Sequence, residues 1–297
     1  MDTLESLRRK IESAGDLGSV VKAMKATAAA NIGQYQMAEA ALTDYFHTIE
    51  LGLTCYFSQE KKHFAIEVEP NQKNKSIGVL VFGSDQGLVG QFNDVLSRFV
   101  ADSLNEIEGK KIVWAVGERA RDSLTDSGFV ISKLLSVPAA IKSVPALVGQ
   151  IIVDIEASRN DKAGINAFYI FHNSPKKNGG YEPVLIQLLP MDQNWKQDLK
   201  KQKWPTNELP EVVGDRQATL RALIREYLFV SIYKVCAESL ASENESRLEA
   251  MQRAEKNIND LSDELNRSYH RIRQDSIDEE LFDVISGFEA LKKDKKR

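Results

Sequence analysis

The stretch Gly83-Ser84-Asp85-Gln86-Gly87-Leu88-Val89-Gly90-Gln91-Phe92-Asn93 holds the residues of this chain that most suggest chemistry. Three glycines, a serine and an aspartate follow directly on the apolar run Ile77–Phe82. A strand, a glycine-rich turn and a helix make one way to cradle a phosphate. A P-loop, however, needs a lysine for the phosphates and a hydroxyl for magnesium at fixed positions, and a dinucleotide site needs the spacing G-x-G-x-x-G. Here the glycines stand at 83, 87 and 90, and neither the lysine nor the Ser/Thr falls where a P-loop requires it. A structural turn is the better fit. Gly87 and Gly90 permit a tight strand-to-helix reversal, and Ser84 or Asp85 is placed to cap the helix that follows.

Other reactive residue types stand apart from one another. His47, His63, His172 and His270 form no H-E-x-x-H pair, the cysteines show no paired metal spacing, and no serine lies in G-x-S-x-G. Glu279-Glu280 falls on a predicted helix face, where carboxylates are ordinarily solvated. Cys55 and Cys236 are far apart and form no disulfide framework; they read as small buried hydrophobes in a reducing compartment. The residues organise no catalytic centre, no metal site and no cofactor site. A net charge of −4 gives no reason to expect a nucleic-acid partner. The start, MDTLESLRRKIESAGD, has no apolar stretch after its basic residues and is not expected to be a signal peptide. The longest apolar runs are strand-sized, so no bilayer span is expected.

The elements that must carry these residues are set by proline. All eight prolines fall between Pro70 and Pro210. Proline breaks helix interiors, so residues 1–69 and 211–297 are free to form long helices. The first has an apolar stripe through Leu4, Leu7, Ile11, Ala14, Val21, Met24, Ala28, Ile32, Tyr35, Leu42, Tyr45 and Ile49, with Asp2 and Glu5 resembling a capping box. Gly15, Gly18 and Gly33 weaken it, and a kink or a close helix crossing is expected near one of them. The last segment carries Leu248, Met251, Ala254, Ile258, Leu261, Leu265, Tyr269 and Ile272, then Ile277, Leu281, Val284, Phe288 and Leu291, a coiled-coil seam with a break near Ser276. A helix over 215–295 would run about 120 Å at about 1.5 Å per residue, so it needs a mate, and the N-terminal helix lying antiparallel is the natural one.

Between them, strands are predicted at 77–84, 111–116, 130–135, 165–171 and 184–189, and helices at 91–104, 118–126 and 144–158. Alternation of this kind indicates an α/β domain with a mostly parallel sheet covered on both faces. The expected organisation is an N-terminal coiled-coil helix at 1–69, an α/β domain at 75–209 and a C-terminal coiled-coil helix at 210–297, with Lys196–Pro210 as a polar linker. The basic end Lys292–Arg297 suits a helix C-terminus.

The ends also carry a family pattern. The stretch Glu238–Leu291 resembles the C-terminal helix of the gamma subunits of F-type ATP synthases, roughly ASE-x-x-x-RM-x-AM-x-x-A-x-x-N, a tyrosine, then R-x-A/I-RQ-x-x-I-x-x-E. Arg8-Arg9-Lys10-Ile11 and Val21-Lys22-Ala23-Met24 resemble that family's start, and Ser84–Asn93 its middle motif, close to S-D-x-G-L-C-G-x-x-N. The resemblance covers essentially the whole chain. The chain departs from the pattern at Val89, Ala26, Asn31–Gln34 and Asp278, and at Glu245 and Ser246, which stand where the family has small residues. The departures are those of a divergent branch, similar to the alternate F-type ATPases found beside a regular enzyme in some bacteria. The resemblance implies an antiparallel coiled-coil shaft on a Rossmann-like α/β base. It implies a non-catalytic rotor subunit without a cofactor, partnered by alpha, beta and epsilon subunits and by the membrane c-ring, and peripheral to the bacterial inner membrane. It implies coupling contacts to beta at Arg273 and Gln274, with Asp278 in the same patch and Met24, Lys22, Arg8 and Arg9 on the facing helix. The rival readings are a nucleotide-binding α/β enzyme and an unrelated coiled-coil scaffold.

Overall fold

The computed structural model describes residues 3–58, 76–160, 164–190, 199, 204–208, 211 and 214–294, with no account of the side chains of 159–160 and 286–294. Ser76–Phe82 (β1) is apolar after its first residue and buried at every position, which is the mark of a strand covered on both faces. After it come helix α2 (Phe92–Asn105), strand β2 (Lys110–Val116), helix α3 (Glu118–Asp126), strand β3 (Ile131–Leu135), a 3-10 turn at Ile141–Ser143, helix α4 (Val144–Asn160), strand β4 (Ile165–Pro175) and strand β5 (Tyr181–Leu189). The sheet order is β3-β2-β1-β4-β5. β1 pairs in parallel with β2 and β4, β2 pairs in parallel with β3, and only β5 runs antiparallel, against β4.

Alternation along β1 sorts the core. Leu80 and Phe82 point to one face with Trp114, Val116, Phe168 and Ile170, where α4 packs through Val148, Ile151 and Ile155. Ile77, Val79 and Val81 point to the other, under Leu96, Val100 and Leu104 of α2 and Leu124 of α3. Two strands are longer than expected. β4 continues past Phe171 through His172, Asn173 and Ser174, polar residues that are nevertheless buried or half-buried there. β5 begins three residues early and includes Pro183, which an edge strand tolerates because its outer row of N–H groups needs no partner.

The terminal helices are α1 (Leu4–Ser58) and α5 (Arg216–Asp294). α5 is helical through Ser276, so the expected break does not interrupt it. Asp215 caps it, its Oδ1 accepting from the Gln217 N–H at 2.9 Å. At α1 the capping side chain is Thr3, whose Oγ1 accepts from the Ser6 N–H at 3.2 Å; Asp2 lies outside the described residues. So does most of the expected linker, although 205–208 forms a run of bends.

The chain divides into two compact units, Met1–Thr27 with Leu248–Arg297, and Ala28–Arg247. In the first, Leu7, Ala14 and Val21 are buried on α1 and Met251 and Ile258 on α5, with Leu265 and Ile272 half-buried after them. Each series steps by seven residues, the repeat of a coiled-coil seam. Lys25 reaches Glu255 at 2.7 Å, and a Cβ on Gly18 would meet Ile258 at 3.5 Å, so the helices run antiparallel and Gly18 is the glycine at a close crossing. In the second unit the same step of seven runs through Ala28, Tyr35, the half-buried Leu42 and Ile49 of α1 and through Val230, Ala237 and Asn244 of α5. Asn31 donates to Asn244 at 3.3 Å and Tyr45 to Glu226 at 2.8 Å, again antiparallel. α5 also covers the sheet there, through Ile232, Val235, Cys236 and Leu240.

Candidate functional site

The glycine-rich turn joins β1 to α2 at the carboxyl ends of the parallel strands, where an α/β sheet ordinarily binds its ligand. This turn is filled by its own side chains. Asn93 Oδ1 accepts from the Ser84 N–H at 3.1 Å while its Nδ2 donates to Ser84 Oγ at 2.8 Å. Asp85 does not cap α2, whose N-cap residue Gln91 makes no side-chain capping bond. Instead its Oδ1 accepts from the N–H of Glu118, the first residue of α3, at 3.0 Å, and its Oδ2 accepts from Val137 N–H at 2.9 Å. The amino end of α3, the position that would attract a phosphate, therefore already holds a carboxylate. Gly83 and Gly117 are explained by packing, while Gly87 has open space around it. A Cβ on Gly83 would meet the Ala120 Cβ at 2.4 Å, and one on Gly117, whose φ is +108°, would meet the Ser84 carbonyl oxygen at 2.5 Å. Gly90 has φ 57° as the turn requires, but the other left-handed residue is Leu88 at φ 63°, not Gly87.

A second polar cluster was not visible in the sequence. It lies where α5 crosses the ends of β1 and β4. Glu238 Oε2 is 2.7 Å from His172 Nε2 and accepts from Ser174 Oγ at 3.1 Å, with Lys234 3.7 Å from its other oxygen. Burial pushes the Glu238 carboxyl up, but the bond from His172, its charge, Lys234 and Ser174 outweigh this and hold it below its ordinary value. Glu243 goes the other way. It is buried, and desolvation keeps its carboxyl raised although Arg247 sits 2.7 Å away. Burial likewise pushes the Cys236 thiol up to about 12, which leaves it unreactive. Farther along, Glu245 Oε1 accepts from the Gly180 N–H at 2.9 Å, and Ser246 Oγ donates to the Val89 carbonyl at 2.5 Å. The signal was present as the polar steps 238, 242, 245 and 246, but a polar helix face reads as solvated when its partners lie far away in sequence.

The predicted coupling residues fall in the helix pair. Arg273, Gln274 and Asp278 of α5 are exposed, as are Arg8, Arg9 and Lys22 of α1. Arg9 pairs with Glu5 at 2.5 Å. Met24 is half-buried and packs on the seam of Val21, Met251 and Ile258. Beyond Ile272 the apolar stripe of α5 continues without cover at Ile277, Leu281 and Val284, which are 52%, 57% and 71% exposed, and Phe282, about 100° around the helix from Leu281, is 68% exposed. Among the described residues no group of His, Cys, Asp and Glu is arranged to hold a metal, and no helix is long and apolar enough to cross a membrane.

The chain is similar to known proteins over nearly its whole length. A family model described as ATP synthase matches residues 3–291. The chain is 27% identical to the ATP synthase gamma chain of Lachnoclostridium phytofermentans, across 98% of this chain and 100% of that one. It is 26% identical to the ATP synthase gamma chain of Polynucleobacter asymbioticus, across the same shares. In fold it is similar to a chain of the Euglena gracilis mitochondrial ATP synthase rotor, with a TM-score of 0.63 at 15% identity, covering 92% of this chain and 98% of that one. A chain of the same enzyme's OSCP/F1/c-ring assembly superposes with a TM-score of 0.68 at 16% identity, covering 99% and 96%. The glycine turn closed by its own carboxylate and the seven-residue seam thus lie in a chain matched almost from end to end, and that chain belongs to the gamma-chain family of ATP synthases.

Proposed function

We propose that this chain is the central rotor-stalk subunit of the F1 sector of an F-type ATP synthase, carrying torque between an ion-driven membrane ring and a catalytic alpha/beta hexamer. The observation that carries this reading is the uncovered end of α5. Four large apolar side chains between Ile277 and Val284 stand in solvent on a helix that has no mate there among the described residues. Burying such a stripe gains about 25 cal/mol per Å², and a ring of alpha and beta subunits around the helix end supplies the cover. Arg273, Gln274 and Asp278, just before and within the stripe, make the polar contact to beta; Arg8, Arg9 and Lys22 extend it on α1, and Met24 sets the helix spacing beneath them. The chain performs no catalysis. It drives the beta subunits apart in conformation by contacting each state differently, which is the only way a partner can shift such an equilibrium. The sheet domain rests on the c-ring with epsilon, and contact with the membrane is indirect, at the cytoplasmic face of the bacterial inner membrane.

Co-expression with the alpha and beta subunits of the same organism tests this. The chain co-purifies with them, and a probe attached to it rotates when ATP is added. In the same complex Gln274→Cys cross-links oxidatively to a cysteine in the facing beta loop and stops turnover. Failure to co-purify would favour an unrelated scaffold, failure to cross-link would remove Gln274 from the contact, and undiminished turnover after complete cross-linking would show that this contact need not move during turnover.

A further inference from the structure

Most of the contact between α5 and the sheet is apolar, made by Ile232, Val235, Cys236 and Leu240. Apolar contact is non-directional: it holds a helix down but resists its rolling about its own axis only weakly. Hydrogen bonds have angular preferences and do resist rolling. Beside a long bond from Ser239 Oγ to the Phe82 carbonyl at 3.4 Å, three side chains of α5 supply shorter ones, of 3.1 Å or less, to three different pieces of the sheet domain. Glu238 binds His172 and Ser174 on β4. Glu245 takes the Gly180 N–H in the β4–β5 turn. Ser246 donates to Val89 in the turn after β1. At about 100° per residue the three lie within an arc of about 100° on one face of the helix, and they span about 12 Å of its length. Each is at least half withdrawn from solvent, with Ser246 4% exposed, so water competes poorly for the bonds. Two of the three are among the departures from the family pattern noted above.

We propose that Glu238, Glu245 and Ser246 are positioning residues that form a three-point lock against rotation of α5 about its own axis, so that a twist applied to the sheet domain enters the helix without slack. The lock rests on the rotor reading for its use, but not for its existence. Two measurements separate the two. In the purified full chain, Glu245→Ala raises amide exchange at Gly180 by at least about tenfold, whereas Glu245→Gln, which keeps the acceptor, leaves it near the unmodified rate. In complexes assembled with alpha and beta, the angular variance of a probe on the sheet domain during a catalytic pause rises about twofold for Glu245→Ala with Ser246→Ala, and stays unchanged for Glu245→Gln; unloaded ATP turnover stays within about twofold of the unmodified complex in all of them. If the double variant does not assemble, Glu245→Ala alone, at a half-exposed position, is read in the same way. Unchanged exchange at Gly180 overturns the contact and the lock with it. Faster exchange with unchanged variance overturns the lock and leaves the rotor reading standing. Absence of rotation in the unmodified complex overturns the rotor reading and the mechanical use of the lock, while the exchange result still decides the contact.

Discussion

Asp85 joins three loops with one carboxylate, and its loss has a calculable cost. Asp85→Ala leaves the first N–H of α3 and the Val137 N–H without their acceptor. Loss of a helix-capping oxygen typically costs about 1 kcal/mol and an unpaired backbone group about as much again, so a decrease of about 2 kcal/mol is expected in urea unfolding of the isolated chain. Asp85→Asn, which keeps one acceptor, should lose about half of that. Glu238 gives a pH-dependent expectation. Its carboxyl is held below the ordinary value of 4.5 in the folded chain, so it contributes stability above that value and loses it as the pH falls through the lower, folded one. Glu238→Gln is therefore less stable than the unmodified chain at neutral pH, and the gap closes as unfolding is measured at pH values falling below 4.5. A gap independent of pH would mean that Glu238 acts through packing and not through its charge. Neither residue's partners were legible in the sequence. Asp85 reads locally as a cap for the next helix, while its actual donors stand 33 and 52 residues away.

Among the elements, the long helices were the most legible, because proline is absent from both ends of the chain and the apolar stripe repeats over many turns. The sheet was legible in its strand order of appearance and in its parallel character. The end of β4 was not, because His172 and Asn173 are polar residues buried from opposite faces, His172 against Glu238 of α5 and Asn173 against Phe92 of α2, and no local pattern announces helices arriving from 66 and 81 residues away. Glycine separates the elements into two kinds. Gly15 and Gly33 have open space where a methyl would stand and an ordinary helical backbone. Gly15→Ala and Gly33→Ala should each stabilise the chain by about 0.5–1 kcal/mol, read as a rise in the thermal midpoint. Gly83→Ala should do the reverse, by about 1–3 kcal/mol, because its methyl would overlap Ala120 and Asn93. A Gly83→Ala variant as stable as the unmodified chain would show that the turn is not packed as described.

On the scale of the whole chain, the exposed stripe at the end of α5 is a surface without a role in the chain's own stability. Phe282→Asp with Val284→Asp should leave the thermal unfolding of the isolated chain nearly unchanged, within about 0.5 kcal/mol, since both side chains stand in solvent. Recovery of the complex with alpha and beta should fall by at least about tenfold, because the same carboxylates would then be buried against apolar surface. Equal recovery would place the partner elsewhere. The step of seven residues at Leu7, Ala14 and Val21, answered by Met251, Ile258, Leu265 and Ile272, has a mechanical meaning as well. A repeat of seven falls short of two full helical turns, so the two strands of this rope wind about each other with a left hand. A rope of fixed hand is not equally stiff both ways: torque in the sense of its lay draws the strands together, and torque against it eases them apart.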